Sequence, residues 1–150
     1  MDEIKSVIKM TDEERVETVK SIFSSITKRY DFLNRTLSLR RDVAWRKSAT
    51  GEMHFFDTYR MLDVATGTGD LAIQTAKAFS NVKVMGIDFV EEMLNIGRVK
   101  IKKENLSKSV EFLLADALKI PFESNAFDVV GIAFGIRNIP DKRRALGEMH

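Results

Sequence analysis

A chain of 150 residues with 44% apolar content has the size of one globular domain and enough apolar material for a core. Its 24 lysines and arginines against 22 aspartates and glutamates are too evenly balanced to draw it to nucleic acid, so no nucleic-acid partner is expected. Without cysteine there is no disulfide, thiolate metal site or cysteine nucleophile, and 2 histidines far apart in sequence argue against a metal cluster, so no metal is expected.

The N-terminus is charged from Asp2 onward and lacks the apolar stretch of a secretory signal. The longest nearly apolar run, Ala126 to Ile136, contains Asp128 and falls short of the roughly 18 residues of a membrane span. The expectation is a cytoplasmic protein.

From Thr11 to Asn34, Val16, Val19, Ile22, Phe23, Ile26, Tyr30 and Leu33 recur at three- and four-residue spacing, one face of a helix. Thr11 and Glu14 form a capping-box pattern at its start. A shorter helix is predicted over Asp42 to Thr50, carrying Val43 and Trp45. Residues 1–57 therefore read as an all-helical extension. Basic side chains such as Lys28, Arg29, Arg40, Arg41, Arg46 and Lys47 alternate there with Phe32, Leu37 and Trp45, a pattern of amphipathic helices with a solvated basic face. His54, beside Phe55 and Phe56, reads as a packed residue.

Beyond residue 58 the texture changes. Arg60–Val64, Val82–Ile87, Val110–Leu114 and Phe127–Phe134 read as strands, and Leu71–Phe79 and Glu91–Asn105 as helices, with the lysine-rich stretch from Arg98 to Lys108 on the solvated surface. Strand and helix in alternation predict an α/β fold, a Rossmann-like parallel sheet with helices on both faces, over residues 58–150. Asp141 to His150 reads as a helix without an end signal, and four strands leave the last as an open apolar edge, so the sequence reads as part of a longer protein.

The chemistry gathers at the strand ends. Between the first strand and its helix, Leu62-Asp63-Val64-Ala65-Thr66-Gly67-Thr68-Gly69-Asp70 is a loop in which Gly67 and Gly69 allow a sharp turn and close approach to a ligand. Ala65-Thr66-Gly67-Thr68-Gly69 resembles the G-x-G-x-G of methyltransferases, while Gly67 to Ala72 fits the G-x-G-x-x-A of dinucleotide sites. Asp70 at the helix start would repel a pyrophosphate, whereas Asp63 and Asp70 would attract a sulfonium and an ammonium group. Asp88 stands 19 residues after Gly69, the offset of a ribose-binding carboxylate in either kind of site. Asp116, after the third strand, suits an adenine amino group, with Ala117 small enough to let the ring lie close.

Together these residues resemble the class I methyltransferases. Phe134-Gly135-Ile136-Arg137-Asn138, Lys28-Arg29-Tyr30-Asp31 with Asn34 and Trp45, and Asp116-Ala117 before Ile120-Pro121-Phe122 resemble, more narrowly, the ubiquinone/menaquinone biosynthesis C-methyltransferases. The resemblance implies S-adenosylmethionine as cofactor, held by Thr68, Asp88, Asp116 and Ala117 on the loop shaped by Gly67 and Gly69, while Asp63 is a cofactor-site candidate on its charge alone. It implies methyl transfer to a ring carbon of a polyprenyl quinol; Arg137, just beyond the fourth strand, would then stabilise phenolate charge or orient a water that takes the proton, and Asn138 would hold a quinol oxygen. Such a substrate lies in a membrane, so peripheral contact of the basic, apolar N-terminal helices with lipid is expected. Two positions depart from the family pattern: Ala65 stands where many methyltransferases have glycine, and Ala133 where relatives often carry serine.

Overall fold

Four short segments rich in valine, isoleucine, leucine and methionine form strands, since bulky and β-branched side chains suit a pleated surface. In the computed structural model, which describes Thr11, Glu14, Glu17, Thr18, Ser21, Ile22 and residues 41–150, these are β1 (Arg60–Val64), β2 (Lys83–Asp88), β3 (Val110–Leu114) and β4 (Val129–Ile132). They form one sheet in the order β3-β2-β1-β4. Every pairing is parallel, with Leu62 opposite Met85 and Val130, and Gly86 opposite Phe112. The helices are α1 (Arg41–Gly51), α2 (Asp70–Ala78), α3 (Glu91–Lys103) and α4 (Lys142–Met149), with a 3-10 turn at Ile136–Asn138.

Alternation along β1 divides the core. Met61 joins Leu71, Ala72 and Ala76 of α2 and Ile101 of α3 in one cluster, while Leu62 and Val64 join Ile87, Val130, Ile132 and Met149 of α4 in the other. Helices thus cover both faces, as the strand–helix alternation predicts. No described helix is long and apolar enough to cross a membrane.

Boundaries shift by at most two residues, and the last strand is two residues shorter at each end than predicted. Phe134, the predicted last residue of that strand, takes a φ of 65°, a left-handed conformation that does not continue an extended chain. Asp128, read only as a break in an apolar run, anchors the entry to the sheet. Its carboxylate accepts hydrogen bonds from the amides of Phe56 (3.1 Å), Asp57 (3.2 Å), Thr58 (2.9 Å) and Tyr59 (2.8 Å). Burial works against its charge, but the amides of Thr58, Tyr59, Asp57 and Phe56 outweigh it and bring the carboxyl down to about 2.

The capping box is present: the Thr11 amide donates to Glu14 (2.8 Å) and the Glu14 amide to Thr11 Oγ1 (3.2 Å). Glu14, Glu17, Thr18, Ser21 and Ile22 are helical; the other positions of the predicted Thr11–Asn34 helix, with the Lys28 to Asp31 motif, lie outside the described residues. α1 forms where expected but presents a different face. Val43 and Trp45 are exposed, whereas Asp42 and Thr50 are buried, because Asp42 pairs with Arg46 and the Thr50 hydroxyl donates to the Arg46 carbonyl at 2.8 Å. His54 is exposed, not packed. Its neighbour Phe55 packs instead, against Phe79, with ring centroids 5.0 Å apart.

Candidate cofactor site

β1 lies between β2 and β4, so the chain departs to one side of β1 and returns to the other. The carboxyl ends of these strands open there on a crevice, the usual ligand position in an open α/β sheet. Two cavities occupy it. The larger, about 240 Å³, is lined by Ala65 and Gly67 of the loop, Asp88 to Val90, Met93, Ala115 to Leu118, Ala133, Gly135, Asn138, Ile139 and Pro140, with Glu17 from the N-terminal helix. The smaller, about 50 Å³, is lined by Arg46, Asp63, Ala65 to Thr68, Asp70, Leu71, Ala133 and Phe134. The structure therefore brings together Asp63, Gly67, Thr68, Asp88, Asp116, Ala117 and Asn138 from distant parts of the sequence.

Backbone strain shapes the loop between them. Gly67 and Gly69 take φ of 58° and 82°, the conformation in which glycine escapes a side-chain clash. Ala65, at φ 51°, adopts it with a methyl group, at a cost on the order of 1 kcal/mol. A Cβ on Gly135 would lie 2.6 Å from the Ala65 methyl, so Gly135 makes room for the alanine.

Hydrogen bonds fix the carboxylates. Asp88, the last residue of β2, accepts from the Gly67 amide (2.8 Å) and the Val90 amide (3.0 Å). Burial raises its pKa, and the bonds from Gly67, Val90 and Phe89 oppose that rise. Asp63 is 1% exposed and accepts from the Thr66 hydroxyl at 2.5 Å. Burial dominates there and lifts its carboxyl to about 7, against the Thr66 and Ala72 hydrogen bonds. Asp116 is exposed and accepts from the Leu118 amide at 2.8 Å.

Asp70 corrects the electrostatic argument. Its carboxylate holds Lys100 at 2.6 Å and Arg46 at 3.3 Å, so the helix start carries no uncompensated negative charge, and Asp70 alone does not disfavour a pyrophosphate. Lys100, expected on a solvated face, turns inward instead and also donates to the Thr68 hydroxyl at 2.8 Å. Arg137 is exposed and lines neither cavity, while its neighbour Asn138 lines the larger one.

Three features carry no local signal in the sequence. Arg46 reaches the loop from α1, 24 residues before Asp70. Thr66 bridges the loop to Asp63. Phe112 of β3 supports the loop from below: a Cβ on Gly69, Gly86 or Gly97 would lie 2.4, 2.6 or 2.7 Å from its ring. A bulky residue on an edge strand, facing glycines on three successive elements, is a pattern that spacing alone does not reveal.

The parallel order, the glycine loop at the end of β1 and the carboxylates after β1, β2 and β3 define a Rossmann-like fold of the S-adenosylmethionine-dependent methyltransferase type. A crystal structure of a SAM-dependent methyltransferase from Aquifex aeolicus is similar, with a TM-score of 0.60 and 30% identity over 69% of this chain and 55% of that one. The sequence profile of the ubiE/COQ5 methyltransferase family matches residues 8–150, and the chain belongs to that family. It is 44% identical to the ubiquinone/menaquinone biosynthesis C-methyltransferase UbiE of Geobacter sp. (strain M21), over 91% of this chain and 59% of that protein. It is 41% identical to the demethylmenaquinone methyltransferase of Bacteroides fragilis (strain YCH46), over 93% of this chain and 57% of that protein. The chain thus spans somewhat more than half the length of these relatives.

Proposed function

We propose that this chain is the cofactor-binding portion of an S-adenosylmethionine-dependent C-methyltransferase acting on a polyprenyl quinol of the demethylmenaquinol kind. The observation that carries the reading is the pair of cavities at the switch point, joined along Ala65, Gly67 and Ala133. One is a mainly apolar slot bordered by Asp88 and Asp116, and the other a small polar chamber. Adenosine suits the first: Val90, Met93 and Leu118 flank a ring, Ala117 leaves room for it, Asp116 accepts from an amino group, and Asp88 accepts from ribose hydroxyls. The second suits the amino-acid end, where Thr68 offers its hydroxyl and an ammonium group favours the charged form of Asp63. S-adenosylmethionine supplies an activated methyl group when bound.

A quinol ring carbon becomes nucleophilic once a neighbouring hydroxyl gives up its proton. The Ile136–Asn138 turn, at the carboxyl end of β4, puts an exposed guanidinium, Arg137, beside Asn138 at the cavity wall. Arg137 stabilises the phenolate and Asn138 holds a quinol oxygen, while alignment of donor and acceptor carbons provides much of the rate. The test is methylation of demethylmenaquinol by the protein extended to the length of its relatives, with Arg137→Met expected to lower kcat. Failure with every polyprenyl quinol tried contradicts the substrate assignment. The exposed Trp45 and Val43 on α1, next to Arg41 and Lys47, support peripheral contact with anionic lipid. Co-sedimentation with anionic vesicles checks this, and equal, negligible binding to anionic and neutral vesicles rules it out.

A further inference from the structure

The small polar cavity holds one charged side chain that the cofactor loop does not supply. Arg46 comes from α1, and its side chain is 12% exposed. A guanidinium buried to that degree requires partners. It has two carboxylates, Asp42 and Asp70, and it stands 5.9 Å from the centroid of the Phe134 ring. Both ion pairs to described residues leave from Nη2. A guanidinium carries five N–H donors in a planar fork, a geometry that matches a carboxylate.

The rest of the lining narrows what that fork would meet. Asp63, Thr66, Thr68 and Asp70 share the chamber with Arg46, so a carboxyl side and a guanidinium side face one space of about 50 Å³. This is room for a few water-sized groups. A ligand with one sign of charge would suit one side and oppose the other, whereas an α-amino acid end, ammonium and carboxylate on one carbon, satisfies both. Phe134 is itself held in a left-handed conformation, φ 65°, with its ring 5.8 Å from that of Trp45, and it walls the chamber beside Arg46.

We propose that Arg46 binds the carboxylate of the amino-acid end of the cofactor, so that α1 completes the site and the chamber selects ligands with an intact α-amino acid. The inference rests on the S-adenosylmethionine reading above. Calorimetric titration of the 150-residue chain with S-adenosylhomocysteine and with 5′-methylthioadenosine, which has the adenosine and sulfur but no amino acid, separates the two. Arg46→Met is expected to weaken S-adenosylhomocysteine roughly ten- to a hundred-fold, the scale of lost charge-assisted hydrogen bonds, and to leave 5′-methylthioadenosine within about two-fold. Arg46→Lys keeps the charge without the fork and is expected to lose an intermediate amount for S-adenosylhomocysteine alone. Equal losses for both ligands in the Lys variant, or no loss in either variant, overturn the role of Arg46 while leaving the cofactor reading intact. If the unsubstituted chain binds neither ligand, the cofactor reading falls and the inference falls with it.

Discussion

Replacing Asp63 with asparagine keeps the shape of the side chain and an oxygen to accept the Thr66 hydroxyl, but removes the ability to ionise. In the folded chain the carboxyl is raised from 3.8 to about 7, chiefly by burial. A carboxyl raised in this way takes up a proton on folding between those two values, so its contribution to stability falls as pH rises from about 4 to about 7 and stays lost above that range. Each pH unit across the interval is worth about 1.4 kcal/mol, which sets an upper limit on the order of 4 kcal/mol. Asp63→Asn is therefore expected to unfold at higher urea than the unsubstituted chain at pH 8, with the gap closing steadily towards pH 4. Urea unfolding of both chains by circular dichroism at several pH values measures it, since differences between the two cancel the titration of every other group. A gap that is the same at pH 4 and pH 8 would refute a buried, proton-binding Asp63.

A double substitution probes the support beneath the loop. Gly86→Ala drives a methyl group into Phe112 and the Thr66 hydroxyl, 2.6 and 2.8 Å away, at a cost of about 1–3 kcal/mol. Adding Phe112→Leu should recover at least about 1 kcal/mol of that loss relative to additivity; strictly additive urea midpoints would mean that the ring and the glycine do not meet. At Asp128 the carboxyl is depressed to about 2, so its contribution is present above about pH 4 and lost as pH falls through 2. Asp128→Asn should lower the melting temperature at pH 7 and leave it nearly unchanged at pH 2, and a loss of equal size at both values would contradict the amide clamp.

The parallel sheet was legible because its signal is local: Arg60–Val64 and Val110–Leu114 are bounded apolar runs, and each is followed by turn residues. Asp88 and Asp116 were legible for a related reason, since residues just after parallel strands all emerge at one edge. What sequence reading missed depends on contacts across the fold. Lys100 belongs by spacing to a lysine-rich surface helix, and only the position of α3 beside the loop turns it to Asp70. Arg46 looks like one basic residue among many until α1 is placed, and the same packing that buries Asp42 leaves Trp45 outside. Asp128 interrupts an apolar strand in sequence, whereas in space it gathers four amides from a segment about 70 residues earlier. The inward turn of Lys100 also removes the simple charge argument made from Asp70, so the cofactor assignment rests on the paired cavities and on family membership.

The central claim is that the crevice at the ends of β1, β2 and β4 takes S-adenosylmethionine and not a dinucleotide. Side-by-side calorimetric titration of the chain with S-adenosylmethionine and with NAD tests it most directly. The account predicts saturable binding of S-adenosylmethionine at one site per chain, weakened by Asp88→Asn, and no comparable heat with NAD. Preferential binding of NAD would contradict it.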